Sequence, residues 1–266
     1  MNVVDYSHYQ HLKIEKIDGL AIVTLNRPPH NLINMAMHHE VTQIPRDLRR
    51  DDEVRAIVLA SSGKNFCAGG DRDLYDFYKD DPQGQMVHFE QCRDLINNMI
   101  DLEKPIVAAV HGLVAGLLSQ VVLLCDIIIA ADDDKTRFLD GHMNIAVAPG
   151  DGGALVWPAR IGLARAKRYL LTGDPVPARE AERIGMVTEL APPDELLERA
   201  VAWGRRFVDG PALATRWTKA SLNQWLRRDA ADILNYSWAL MVAGRGLPEN
   251  QEAFEASRDK RPPKYR

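Results

Sequence analysis

Several things are scarce in this chain. Cysteine occurs three times in 266 residues, at Cys67, Cys92 and Cys125, with no CxxC pair. Neither a disulfide framework nor a zinc ribbon is encoded, and a reducing cytoplasm is the expected compartment. No apolar run reaches the roughly 18–20 residues that cross a bilayer. The longest, VVLLCDIIIAA at 121–131, is interrupted by Asp126. The opening MNVVDYSHYQHLKIEK has no basic segment leading into an apolar one, so no secretory signal and no membrane association are expected. Excess charge is missing too: a formal net charge of −4 argues against a nucleic-acid partner. Neither a GxxxxGKS/T phosphate loop nor GxGxxG occurs, which removes the usual nucleotide signatures. No His, Cys and carboxylate cluster has metal-ligand spacing, so no metal is expected. Glycine/serine linkers, low-complexity tracts and heptad series are also absent.

What remains is an ordinary globular composition, 46% hydrophobic and 26% charged, in a chain long enough to bury a substantial core. LKIEKID (12–18) and LAIVTLN (20–26) flank Gly19 as a hairpin. VRAIVLASS (54–62), KPIVAAVHG (104–112) and DIIIAAD (126–132) are the continuous apolar runs of buried strands. Helices are predicted over 35–50 and 85–102, and a buried one in LLSQVVLLC after Gly116. Strand and helix units recurring in this way imply an α/β stack of βα turns. From Asp194 the pattern becomes helical. The expected organisation is a βα core over 1–193 and a helical region over 194–266, packed on that core or on a neighbouring subunit.

Two glycine turns follow predicted strands. In KNFCAGGDRDL (64–74), Gly69 and Gly70 allow a ligand to approach the main chain. In VHGLVAGLLSQ (110–120), Gly116 precedes a helix whose first amides have no partner. Such amides carry partial positive charge and suit a developing oxyanion. Either turn could equally be only a tight turn. Further along, FLDGHMNIAVAPGDGG (138–153) places His142 nine residues before a glycine-flanked Asp151. Histidine titrates near neutrality and can take a proton from water, and a carboxylate bonded to it fixes its tautomer. Asp151 could instead cap a helix or act as a nucleophile, and His142 could be a core histidine. Asp140 reads as a turn former and His111 as a structural residue. Trp157 and Trp238 read as core or subunit contacts, Cys67 as no nucleophile, and Arg46, Arg49 and Arg50 as a solvated helix face.

Five segments in order, NRPPHNLIN (26–34), NFCAGGD (65–71), KPIVAAVHG…LLCDIIIAAD (104–132), PGDGG…WPARIG (149–162) and LTGDPVPAREAERIGMV (171–187), resemble the enoyl-CoA hydratase/isomerase, or crotonase, superfamily. The resemblance implies a right-handed spiral of ββα units with a C-terminal helical trimerisation region, assembled as homotrimers or hexamers. It implies an acyl-CoA substrate, with coenzyme A as part of the substrate and no separate cofactor. Two backbone amides, those of Gly70 and Leu117, would hold a thioester enolate. Arg27, Ala68, Gly69 and Asp71, and the tail residues Lys260 and Arg261, would contact the substrate or its CoA phosphates.

The chain departs from that pattern where hydratases of the family carry two glutamates. Those positions are Gln120 and His142 here, so the expected catalytic residues are His142, Asp151 and Gln120. A His and an Asp in this stretch resemble the β-diketone hydrolases of the 6-oxocamphor hydrolase type, which cleave a carbon–carbon bond by a retro-Claisen reaction. Three functions follow from the resemblance: hydration or hydrolysis of an acyl-CoA through an enolate, hydrolysis of a free β-diketone, and a catalytically silent family member.

Overall fold

The computed structural model describes residues 2–71 and 81–265. Its main sheet has six strands, β1 (Leu12–Ile17), β2 (Leu20–Leu25), β3 (Ala56–Ser61), β4 (Ile106–Val110), β6 (Ile127–Ala131) and β9 (Glu189–Ala191), side by side in that order. β1 and β2 form the antiparallel hairpin around Gly19, and every later pairing in this sheet is parallel. Parallel strands with helical crossovers must be covered on both faces, which is why their sequences are continuous apolar runs. Period-two alternation then divides each strand between two cores. Ile57 and Leu59 of β3 join the larger core, while Ala56, Val58 and Ala60 join the smaller one.

Helices α1 (Met35–Arg50) and α2 (Pro82–Asp101) cover the first face. α2 starts three residues before the sequence-based expectation, at Pro82 behind an Asp81 cap whose side chain accepts from Gln83 N. Proline suits the first helical turn because its missing N–H has no partner there in any case. The second face is covered by α7 (Leu196–Val208), through Leu196, Ala200 and Val208. A buried lysine, Lys219 on α8 (Ala212–Leu222), ties the C-terminal helices to the sheet. Its Nζ lies 2.7 Å from Asp126 Oδ2 and 3.0 Å from Lys104 O. Arg46 is not simply solvated: it reaches Asn98 and Asp94 on α2.

A second, three-stranded layer consists of β5 (Leu113–Ala115), β7 (Arg137–Leu139) and β8 (Val176–Pro177). Bridges Cys67–Val114 and Ile33–Gly70 extend it. Each pass of the chain therefore contributes one long strand to the sheet and one short extended segment to this second layer. That is the repeating βα spiral expected from the resemblance. The remaining helices among the described residues are α3 (Leu117–Leu123), α4 (Gly153–Ile161), α5 (Leu163–Thr172), α6 (Ala178–Arg183), α9 (Gln224–Gly244) and α10 (Pro248–Arg258).

Candidate active site

The second layer brings the two glycine turns into contact. Cys67 N donates to Leu113 O at 3.0 Å and Ala115 N to Cys67 O at 2.9 Å, so residues 67 and 113–115 run as paired extended chain. Immediately beyond this pairing stands Gly116, with φ 60° and ψ −141°, a conformation disfavoured for residues with a Cβ. A Cβ placed there would be in van der Waals contact with Gly69 Cα, at 3.7 Å. Gly116 N is spent on Leu139 O at 3.0 Å, and α3 begins at the next residue. Leu117 N, at the first helical position, has no intrahelical acceptor. On the facing turn, Ile33 N donates to Gly69 O and Asp71 N to Ile33 O, which leaves Gly70 N without an acceptor among the described hydrogen bonds. Two uncommitted amides thus sit on adjoining turns.

The strand β7 ends at Leu139, and the chain then makes a glycine turn into a short 3-10 segment, His142–Ile145. Asp140 makes this turn in the manner expected of an aspartate. Its Oδ1 accepts from His142 N at 3.2 Å, closing an Asx-type loop over two residues. The same oxygen accepts a second bond, from His142 Nδ1 at 2.8 Å. On the other side of the imidazole, Nε2 lies 3.6 Å from Asp151 Oδ2. The sequence-based reading, in which Asp151 fixes the His142 tautomer, is therefore corrected. Asp140 holds Nδ1, and Asp151 faces the nitrogen that remains.

Gln120 lies across both carboxylates. Its Nε2 donates to Asp140 Oδ2 at 2.9 Å and approaches Asp151 Oδ1 at 3.4 Å, and its Oε1 accepts from Trp157 Nε1 at 3.0 Å. Because indole N–H can only donate, the amide orientation is settled: oxygen towards Trp157, nitrogen towards the carboxylates. Gln120 was expected among the catalytic residues. With both ends of its amide engaged internally, it instead holds the two aspartates. Trp157, fully buried, anchors this amide as well as filling the core.

Asp140, His142 and Asp151 are all buried, and their charges depend on one another. Burial opposes the imidazolium, but Asp151 and then Asp140 outweigh it and raise the His142 pKa to about 9. Burial also opposes ionisation of Asp140, yet the His142 charge and the bonds from His142 and Gln120 hold its pKa below the ordinary carboxylate range. Asp151 goes the other way. Burial and repulsion from Asp140 push it up against the pull of His142. The array thus contains an ionised Asp140, an imidazolium at neutral pH and a carboxylate of increased basicity. Asp151 does not cap α4; the N-cap there is Gly152 and makes no side-chain bond.

The expected substrate-binding residues fall into two groups. Arg27 and Asp71 engage each other, with Arg27 Nη2 2.8 Å from Asp71 Oδ2 and Nη1 2.6 Å from Leu32 O. They brace the first glycine turn. Ala68 N donates to His30 O, and Gly69 N meets Cys67 Sγ. In the tail, Arg261 forms a fork with Glu252 at 2.5 and 3.0 Å, while the Lys260 side chain makes no hydrogen bond among the described residues. Burial pushes the Cys67 thiol up to about 12, consistent with an unreactive side chain. His111 bonds to Gly63 O and is structural. Asp140 is the member that sequence reasoning left out. A signal was present in its position two residues before His142 across a glycine, but a turn-forming aspartate has the same appearance.

The spacing of donors along the chain suggested no metal site. Among the described residues the fold nevertheless assembles two groups of suitable type, Asp140–His142–Asp151 and His38–His88–Cys92, each with its donor atoms within 4.8 Å of one another.

The family model for enoyl-CoA hydratase/isomerase matches residues 15–266. A probable enoyl-CoA hydratase of Rhizobium meliloti is 32% identical over 260 residues, covering 94% of this chain and 96% of that protein. The crystal structure of an enoyl-CoA hydratase/isomerase from Mycobacterium paratuberculosis superposes with a TM-score of 0.88 at 28% identity, over 94% of this chain and 99% of the other. A β-diketone hydrolase from the cyanobacterium Anabaena sp. PCC 7120, bound to (S)-3-oxocyclohexyl acetic acid, superposes at 0.81 and 29% identity, over 89% and 94%. With the spiral of βα turns, the paired glycine turns and a match over nearly its whole length, this chain belongs to the enoyl-CoA hydratase/isomerase family.

Proposed function

We propose that this enzyme adds water to the β-carbonyl of a β-keto acyl-CoA and cleaves the bond between the α and β carbons, releasing a carboxylate and a shortened or ring-opened acyl thioester. The single observation carrying this reading is the Asp140–His142–Asp151 array, whose His142 stands at one of the two positions where the family resemblance expects hydratase glutamates. In the proposed reaction, Asp151 takes a proton from water as the water oxygen bonds to the β-carbon. His142, held by Asp140, supplies its proton to the β-oxygen as that carbonyl becomes tetrahedral. Breaking the α–β bond sends the electron pair towards the thioester, whose oxygen becomes an enolate held by the Gly70 and Leu117 amides. The β-hydroxyl returns its proton as the new carboxyl group forms, and the α-carbon recovers a proton from Asp151.

Two carboxylates around one imidazole also suit water activation in general, so plain hydration of an enoyl thioester is the control reaction. It is expected to be slow, because Gln120 cannot exchange a proton at neutral pH and is bonded at both ends. A second reading, hydrolysis of a free β-diketone, is favoured by the likeness to the cyanobacterial β-diketone hydrolase. The test is a product-resolved assay of a cyclic β-keto acyl-CoA, its free-diketone counterpart and crotonyl-CoA, accompanied by calorimetric titration with CoA. Cleavage of the thioester with measurable CoA binding supports the proposal. Cleavage of the diketone alone with no CoA binding moves the assignment to the second reading. Fast crotonyl-CoA hydration overturns both.

A further inference from the structure

We propose that His38, His88 and Cys92 form a binding site for a divalent cation of zinc-like, borderline softness, joining α1 to α2 beside the reaction array. The site is independent of the reaction proposed above. His88 and Cys92 are four residues apart on α2 and so share one face of that helix. His38, on α1, meets them there. His38 Nε2 lies 3.5 Å from Cys92 Sγ, and Cys92 Sγ lies 3.7 Å from His88 Nε2. A tetrahedral zinc with bonds of about 2.3 Å to sulfur and about 2.0–2.1 Å to nitrogen holds its nitrogen and sulfur ligands about 3.5 Å apart. The donors are already at that spacing.

The chemistry of the cluster points the same way. It contains two imidazoles and a thiol but no carboxylate, a donor set that favours zinc and its thiophilic neighbours over magnesium or calcium. Burial keeps both imidazoles neutral, with His38 lowered to about 4 and His88 also lowered, and neutral imidazole is the ligand form. Burial raises the Cys92 thiol, and Asp151 raises it further. Among the described residues, Arg245 opposes a cation here and Asp151 favours one. His38 Nδ1 and Gln91 Oε1 are both buried without a hydrogen-bond partner, although the Gln91 side chain stands close enough to favour a proton on His38. Metal on Nε2 places the ring proton on Nδ1, where the Gln91 carbonyl can accept it. Metal-bound histidines are commonly oriented by such a contact. His38 and Cys92 are enclosed and His88 is half-buried.

Titration of the chelator-treated, reduced protein with Co(II) tests the site by optical absorption. One equivalent is expected to give intense tetrahedral visible bands and a near-ultraviolet sulfur-to-cobalt band. Cys92→Ser is expected to lose the sulfur band, and His38→Gln and His88→Gln to weaken binding. Gln91→Ala is expected to weaken it by roughly 10- to 100-fold. Asp151→Asn should retain the sulfur band. Each variant is first shown to be folded by circular dichroism, with Cys92→Ala replacing any Cys92→Ser protein that is not. The proposal is overturned if the wild-type protein gives no sulfur band. It also fails if the band survives at Cys92→Ser, which would place the metal on another cysteine. Cobalt binding lost in His142→Gln but unchanged in His38→Gln and His88→Gln would assign the metal to the reaction array.

Discussion

Two buried histidine clusters lie side by side in this protein, and they respond to burial in opposite directions. His142, between Asp140 and Asp151, is raised to about 9. His38, beside His88 and Cys92, is lowered to about 4. Both rings are enclosed, so burial alone explains neither the difference nor its sign. Desolvation pushes any imidazole towards neutrality; a carboxylate on each side reverses this, and a neutral thiol does not. One cluster therefore holds a charged ring at neutral pH, and the other a neutral one.

The comparison can be broken most severely at Asp151. Asp151→Asn removes the proposed proton acceptor while preserving shape, and turnover in the cleavage assay is expected to fall by roughly 10²- to 10⁴-fold with CoA binding intact. Near-normal turnover would remove Asp151 from the chemistry. Asp140→Asn should then lower the His142 pKa towards the ordinary histidine range. The alkaline limb of the rate profile, expected near pH 9 in the native enzyme, would move to lower pH. An unmoved limb would mean that Asp140 only shapes the turn.

A third prediction concerns stability. The folded pKa of His142 lies above its unfolded value of about 6.5. Its contribution is therefore complete below about pH 6.5 and is lost as pH rises through about 9. Thermal melts of native and His142→Gln proteins should accordingly differ more at pH 6 than at pH 10. His38 has the opposite sign: its folded pKa is depressed, so it destabilises the fold progressively as pH falls below about 6.5. His38→Gln should lessen the loss of stability between pH 6 and pH 4.

The smallest of these effects is steric. A Cβ at Gly153 would clash with Asp140 Oδ2. Gly153→Ala is expected to cost about 1–3 kcal/mol in denaturant unfolding and to disturb the His142 pKa. An unperturbed His142 titration in a folded Gly153→Ala protein would show that the array tolerates displacement of Asp140.

Much of this architecture was legible along the chain. The hairpin at Gly19, the buried strands and α1 were anticipated because each is a local pattern: alternation, an unbroken apolar run, or helical spacing behind an Asn34 cap whose side chain accepts from Met37 N. Both glycine turns could be located for the same reason. The role of Gln120 could not, since a glutamine on a buried helix gives no sign of the aspartates and the indole it will meet. Asp140 was visible only as a turn former, and that description proved true but incomplete. Nor could His38 and Cys92 be associated, being 54 residues apart on two helices whose crossing no local pattern encodes.

By itself, then, the sequence determined the N-terminal hairpin, the long buried strands and the helices beside them, and the unpartnered amides that open the helix after Gly116. Those properties depend on neighbours within a few residues, through backbone sterics and period. Only the tertiary structure decided which carboxylate holds which imidazole nitrogen, that Gln120 is spent inside the protein, and that a second pair of histidines closes on a thiol. These depend on distances of a few ångströms between remote segments. In a low-dielectric interior such distances set whether a ring is charged or neutral.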